Sequence, residues 1–194
     1  MKPGEQEGLS TKEKLILAGI EELNEYGLPK FSTRRVANRC GVSCAAPYKH
    51  FKDAHAFIVE ILKYISRLYD ARQRETLAKY AGADSRTQLL QAGLDYIRFL
   101  AENPQFRRVI LQNYEDEDRD YRSLRTSLSI PIYRRVARYC KDVKMPPEVR
   151  ERKTFVVRSL IYGAAIFFDN GGMEYNEKNM ALVEAMLDRE FDLP

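Results

Sequence analysis

Residues Ser32 to Phe51 read STRRVANRCGVSCAAPYKHF, and the spacing within them predicts two short helices joined by a turn. Ser32 can cap a short helix, Gly41 permits a tight turn, and Ser43 can cap a second short helix that continues through His50. Small or apolar side chains stand where two steeply crossing helices must touch, and these are Val36, Ala37, Cys40 and Val42. The stretch therefore predicts a helix-turn-helix.

The second helix of this predicted pair has a small, exposed start. From Cys44 to His50 it would be about 10 Å long at 1.5 Å per residue, and it could enter a DNA major groove about 12 Å wide. Its start bears Ser43, Cys44, Ala45 and Ala46. Around it stand side chains that can donate hydrogen bonds to phosphates, namely Ser32, Thr33, Arg34, Tyr48, Lys49, His50 and Lys52. This pattern suits double-stranded DNA better than a protein partner.

The charge distribution also favours a polyanion. From Tyr26 to Lys52 there are six basic residues and no acidic one, and the whole chain has a net charge of +4, so the rest of the chain carries −2. A short basic block on a slightly acidic body is typical of a nucleic-acid-binding module. The competing interpretation is a helical hairpin that only packs against the first helix, with its charges solvated.

The spacing of apolar residues predicts an all-α protein of about nine helices, because apolar side chains recur at intervals of three and four. Ser10 and Glu13 form a capping box before a first helix from about Thr11 to Tyr26, which Gly27 ends. The predicted helix-turn-helix domain covers residues 1–53 and a larger helical domain covers residues 54–194. Pro131 is expected to kink or divide a helix over about 121–143.

At these residues the sequence resembles the tetracycline-repressor (TetR) family of bacterial regulators. The resemblance runs from Thr11 to about Lys52, and its most specific parts are Ser32-Thr33-Arg34 with Val36-Ala37, then Gly41-Val42-Ser43, then Tyr48-Lys49-His50-Phe51-Lys52. It implies a three-helix DNA-binding head, a homodimer and a variable helical domain with an effector pocket. The expected function is a ligand-responsive regulator, most simply a repressor that binds a pseudo-palindromic operator.

The resemblance also implies roles for single residues. By matching positions, phosphate contacts are implied for Thr33, Tyr48, His50 and Lys52, and contacts to base edges for Arg34, Cys44, Ala45, Ala46 and Lys49. Pro47 departs from the commonest family pattern, in which an aliphatic residue stands. Because proline has no backbone N–H, the recognition helix would lose its first internal hydrogen bond there.

The larger domain is predicted to hold an effector and a dimer interface. The cavity that the resemblance implies has as candidate lining residues Tyr96, Phe99, Phe106, Tyr114, Tyr133, Phe155 and Tyr162, whose hydroxyls and apolar rings suit a small lipophilic or aromatic effector. Two copies of Phe155–Phe168 and Met180–Leu187 would form a four-helix interface, with Gly163, Ala164 and Ala165 allowing close approach. Ordinary packing within one copy is the alternative.

Other function classes have little support in the sequence. The spacings of Cys40, Cys44, His50 and His55 fit no common zinc finger, and a redox switch at Cys44 is a minor alternative. No catalytic set or phosphate loop is visible, so we expect neither an enzyme nor a cofactor. The absence of a signal peptide and of a long apolar run predicts a cytoplasmic protein without a membrane partner. The alternative function is a helical protein-interaction module without DNA binding.

Overall fold

The computed structural model describes residues 8–111, 119, 121–123 and 130–192. These residues contain no β-strand, which confirms the predicted all-α class. None of their helices combines the length and the apolarity needed to cross a lipid bilayer. Within the described residues the longer α-helices are α1 (Thr11–Tyr26), α2 (Thr33–Arg39), α3 (Ala54–Lys79), α4 (Ser85–Glu102), α5 (Pro104–Leu111), α6 (Ile130–Asp142), α7 (Pro147–Asn170) and α8 (Glu177–Glu190), and 3-10 turns cover Leu28–Lys30 and Pro47–Lys49.

The chain divides into two compact units. The first contains the described residues 8–68, 105–111, 119 and 121–123, and the second contains 69–104 and 130–192. Helix α3 supplies residues to both units, and the division falls after Leu68. The domain boundary at residue 53, which marks the predicted end of the helix-turn-helix, stays a prediction.

Several predicted helix ends agree with the structure. The Ser10 hydroxyl accepts a hydrogen bond from the Glu13 backbone N–H at 3.2 Å, and the Glu13 carboxylate accepts one from the Ser10 backbone N–H at 2.8 Å, which completes the capping box. Gly27 ends α1 with a φ of 74°. Of the helix predicted over about 121–143, the structure describes α6 from Ile130 to Asp142, and residues 124–129 before it lie outside the described part of the chain, so the kink or break expected at Pro131 stays a prediction.

The core of the first unit forms where α1 meets α3 at Gly19. A Cβ atom at this position would lie 2.7 Å from Ile61 Cδ1, so a larger residue would require the Ile61 side chain to shift. Phe57 of α3 stacks on Phe51 with ring centroids 3.9 Å apart and meets Phe31 edge-on at 5.5 Å. Because Phe31 precedes the helix-turn-helix and Phe51 ends it, these contacts hold both of its ends on α3.

The second unit packs α4 against α6, α7 and α8. Leu94, Ile97 and Leu100 of α4 are fully buried in its core. A buried carboxylate joins α4 to the second part of α3, because Asp95 accepts hydrogen bonds from Arg72 Nε at 2.7 Å and from Gln73 Nε2 at 2.8 Å. These bonds satisfy a charge that would otherwise be costly to bury.

Candidate nucleic-acid interface

Helix α2 forms as the sequence predicts. The Ser32 hydroxyl caps it by accepting a hydrogen bond from the Arg35 backbone N–H at 3.4 Å. Val36 and Ala37 are fully buried, which turns that side of the helix toward the core, and Arg34 is exposed. The turn that follows uses Gly41 with a φ of 67°, a conformation that glycine adopts without strain.

The recognition segment (residues 43–50) differs from its prediction. It is a turn over 44–46 followed by the 3-10 turn Pro47–Lys49, so the predicted α-helix from Cys44 to His50 with a Ser43 cap is wrong. The Ser43 carbonyl accepts a hydrogen bond from the Ala46 N–H at 2.9 Å. An α-helix would require that carbonyl to accept from position 47, where proline has no N–H to donate.

The recognition segment and its surroundings are accessible. Tyr48 is 57% exposed although it lies next to the buried Pro47. Among the other residues predicted to touch DNA, Ser32, Thr33 and Ala46 are half-buried. The exposed ones are Arg34, Ser43, Cys44, Ala45, Lys49, His50 and Lys52. The predicted contact residues therefore remain open to a partner.

Two hydroxyl groups link the start of α2 to the recognition segment. Thr33 Oγ1 and Tyr48 Oη lie 3.1 Å apart and share a hydrogen bond. Each hydroxyl has one proton to donate and two lone pairs, so the pair keeps capacity for a further partner. Side-chain hydroxyls beside cations are common phosphate contacts in protein–DNA complexes.

The six basic residues of the block fall into two groups. Arg35 and Arg39 pair with carboxylates of α1, and the guanidinium of Arg39 lies 2.7 Å from Glu25 Oε2. Hydrogen bonds to these carboxylates raise the pKa of both arginines. The second group forms no ion pair with any described residue and consists of Lys30, Arg34, Lys49 and Lys52. Its charges are available to a polyanion.

Glu22 is a structural residue of this surface that the sequence analysis missed. Its side chain is fully buried, and it accepts hydrogen bonds from the Ser32 backbone N–H at 3.2 Å and from Arg35 Nε at 2.7 Å. It therefore ties α1 to the start of α2. The signal was present, because Glu22 follows Leu15 by seven residues and Ala18 by four, which places a carboxylate on the apolar face of α1.

The cysteines of the helix-turn-helix differ in exposure and surroundings. Burial raises the pKa of the Cys40 thiol, which keeps it protonated at neutral pH, and Cys44 is exposed with its Sγ 4.0 Å from Asn38 Oδ1. The described part of the chain contains no group of three His, Cys, Asp or Glu side chains placed to hold a metal ion.

The structure brings together three of the seven predicted effector residues. Tyr96, Tyr133 and Tyr162 line a cavity of about 30 Å³ in the second unit. Phe99 instead packs on Tyr69 in the core with ring centroids 5.1 Å apart. The remaining three lie elsewhere: Phe106 is buried in the first unit, Phe155 is 72% exposed, and Tyr114 lies outside the described residues.

The residues that form this surface match a known protein family. Residues 15–61 match the family described as bacterial regulatory proteins, tetR family. The match covers the helix-turn-helix and the start of α3. The matched segment contains α2, the recognition segment and the Thr33–Tyr48 pair. The family is one of regulators and not of enzymes.

Solved structures extend the likeness in fold over most of the chain. A TetR family transcription regulator from Marinobacter aquaeolei VT8 is 17% identical, with a TM-score of 0.73 and coverage of 92% of this chain and 94% of that one. A Rhodococcus sp. RHA1 protein of unknown function is 19% identical, with a TM-score of 0.69 and coverage of 98% and 97%. At these identities the likeness shows the fold.

One further neighbour carries a bound molecule. A variant of TetR from Acinetobacter baumannii AYE, in complex with minocycline, is 18% identical, with a TM-score of 0.53 and coverage of 94% of this chain and 95% of that one. A comparison with curated proteins gave no match.

Proposed function

We propose that this protein is a homodimeric transcription regulator that binds duplex DNA through the recognition segment. The observation that carries the proposal is the Thr33–Tyr48 hydroxyl pair, which lies on an accessible surface whose nearby cations, Arg34, Lys49 and Lys52, have no ion-pair partner among the described residues. This combination supplies the hydrogen-bond donors and the uncompensated charge that a phosphate backbone requires.

The proposed roles follow from the chemistry of each side chain. Thr33, Tyr48, His50 and Lys52 contact phosphates and fix the register, and Ser32 and Ser43 are polar neighbours at the rim. Arg34 and Lys49 are suited to guanine edges in the major groove. Cys44, Ala45 and Ala46 offer only small, mainly apolar contacts, such as contacts with thymine methyl groups.

The proposed dimer uses the last two helices. Apolar side chains remain exposed on α7 and α8, and a Cβ at Gly163 would meet no atom within 4 Å, so a second helix could approach closely there. Ala164 and Ala165 are buried within the single chain and thus do not serve the close approach expected of them. The exposed residues are Phe155, Ile166, Phe167, Leu182 and Met186. A symmetric pair could hold two recognition segments about 34 Å apart, one duplex turn.

The proposed outcome is repression at a pseudo-palindromic operator, in the cytoplasm, with release by a small lipophilic or aromatic effector. The minocycline complex of the A. baumannii neighbour supports a ligand for this fold. An effector releases DNA only if it binds the non-DNA conformation better, and a tenfold loss of DNA affinity needs about 1.4 kcal/mol of such preference.

The test is DNA binding by the double variant Tyr48→Phe with Lys49→Ala. We expect affinity for an operator selected from random duplexes to fall about tenfold or more. The reason is that the Tyr48 hydroxyl, which is proposed to contact a phosphate, and the positive charge of Lys49 are lost together. The matched control is Lys141→Ala, which removes an exposed lysine of the second unit. Unchanged affinity in the double variant, with its thermal unfolding intact, would refute the placement of the interface. A protein-interaction module without DNA binding would show no duplex binding even in low salt.

A further inference from the structure

An apolar groove runs between α6 and α7 in the second unit. Two adjoining cavities form it, and they share the lining residues Val136, Thr154 and Val157. Their volumes are about 30 and 20 Å³. Along α7 the lining extends from Arg150 to Tyr162, which is about 18 Å at 1.5 Å per residue. The groove is thus narrow, long and open on one side.

The edges of this groove carry positive charge only. Its lining contains three cations, Arg150, Lys153 and Arg158, and no aspartate or glutamate. Lys153 is already engaged, because its Nζ donates to the backbone carbonyls of Glu190 at 2.8 Å and Asp192 at 2.6 Å. Arg150 and Arg158 form no ion pair with any described residue. Two exposed guanidinium groups therefore border an apolar surface.

The floor of the groove suits a hydrocarbon chain. Ile132, Val136, Val157 and Ile161 supply aliphatic side chains, and Tyr96 closes one end with its ring edge-on to Tyr162 at a centroid distance of 6.3 Å. The guanidinium of Arg158 lies 5.4 Å from the centroid of Tyr133, so a charged group and an aromatic ring stand together at the mouth.

We propose that this groove binds a long-chain carboxylate, with its hydrocarbon chain along the aliphatic floor and its carboxylate at Arg158 or Arg150. The inference rests on the proposed function, for which it names the chemical class of the effector. An unbranched chain fits a narrow groove of this length, and a single anionic group satisfies guanidinium groups that lack a partner carboxylate. A neutral lipid would leave these charges uncompensated.

Titration calorimetry of the full chain without DNA tests this proposal, with oleate below its micelle-forming concentration as the probe and oleyl alcohol as its neutral counterpart. We expect oleate to bind and the alcohol to bind about tenfold more weakly, the effect of losing one charge-assisted contact. Equal binding of the two ligands, or no binding of oleate, overturns the inference.

Variants then locate the binding site. Arg150→Ala with Arg158→Ala should weaken oleate binding about tenfold and leave oleyl alcohol binding unchanged. The control, Arg152→Ala, removes an exposed arginine of the same helix that lines neither cavity, and it should bind oleate as the wild type does. An equal loss in the control overturns the inference. Val136→Trp should block oleate at the point where the two cavities join. If this variant does not unfold cooperatively on heating, the arginine variants alone test the position of the binding site.

The two proposals can fail separately. Oleate binding is measured without DNA, so a chain that binds no duplex would refute the proposed function and leave the groove result intact. If the chain binds its operator but not oleate, only the inference about the groove fails. If the wild type binds no oleate and the Val136→Trp variant no longer dimerises, the groove is a contact surface for a second copy of the chain. That result overturns the proposal.

Discussion

At the scale of single residues, the buried carboxylate of Glu22 controls how α2 starts. Its side chain has no exposed surface, and it accepts bonds from Ser32 and Arg35 at the N-terminus of α2. We expect Glu22→Gln to lower the free energy of unfolding by about 1–2 kcal/mol, because the hydrogen bonds lose their ionic partner inside the protein. Urea unfolding measured by circular dichroism gives this value.

Glu21→Gln is the matched control for this prediction. Glu21 is the neighbouring residue on α1, its side chain is 57% exposed, and it pairs with Arg39 at 3.3 Å. Exposed pairs contribute little, so this variant should change stability by less than about 0.5 kcal/mol. If the two variants cost the same, the buried carboxylate has no special part in holding α2.

At the scale of the secondary-structure elements, Pro47 determines the form of the recognition segment. Pro47→Ala restores an N–H that can donate to the Ser43 carbonyl, which now accepts from Ala46. We expect the segment to shift toward α-helix and Tyr48 to move away from Thr33, which weakens DNA binding. Carbon chemical shifts over residues 44–50 and a duplex titration measure both effects. Shifts that stay non-helical would show that another contact maintains the 3-10 turn.

The sequence predicted those elements whose ends depend on local chemistry. Ser10, Glu13 and Gly27 fixed α1, and Ser32 fixed the start of α2, because caps act within three or four residues. The recognition segment was wrongly predicted as an α-helix, although the sequence shows that Pro47 departs from the family pattern. A helix of this length that lacks one backbone hydrogen bond has nearly the same free energy in the α and 3-10 forms.

Features that depend on distant parts of the chain were harder to predict. The apolar face of α1 could have revealed that Glu22 is buried, but its partner Arg35 lies on another helix. Aromatic residues gave no comparable guide to the cavity, because their apolar character is the same in a core, a pocket or an interface. Phe99 is in the core, Tyr162 borders the groove and Phe155 is exposed.

At the scale of the whole molecule, the exposed apolar residues of α7 and α8 predict a dimer. Leu182 and Met186 are about half exposed and lie one turn apart on α8. We expect Leu182→Asp to give a monomer in sedimentation equilibrium, because a charge in an apolar interface is costly to desolvate. Leu68→Asp, at another exposed leucine, is the control and should remain dimeric. A dimeric Leu182→Asp variant would exclude this face.

The most direct test of the account is the salt dependence of DNA binding by the wild type and by Lys52→Ala. Lys52 is an exposed cation beside the recognition segment without an ion pair to a described residue, so a phosphate contact by this residue releases a counterion on binding. We expect log affinity to fall linearly with log salt and Lys52→Ala to reduce the slope by about one for each copy bound, whereas Lys141→Ala should keep the wild-type slope. An affinity independent of salt, or the same slope in all three proteins, would refute the proposed DNA interface.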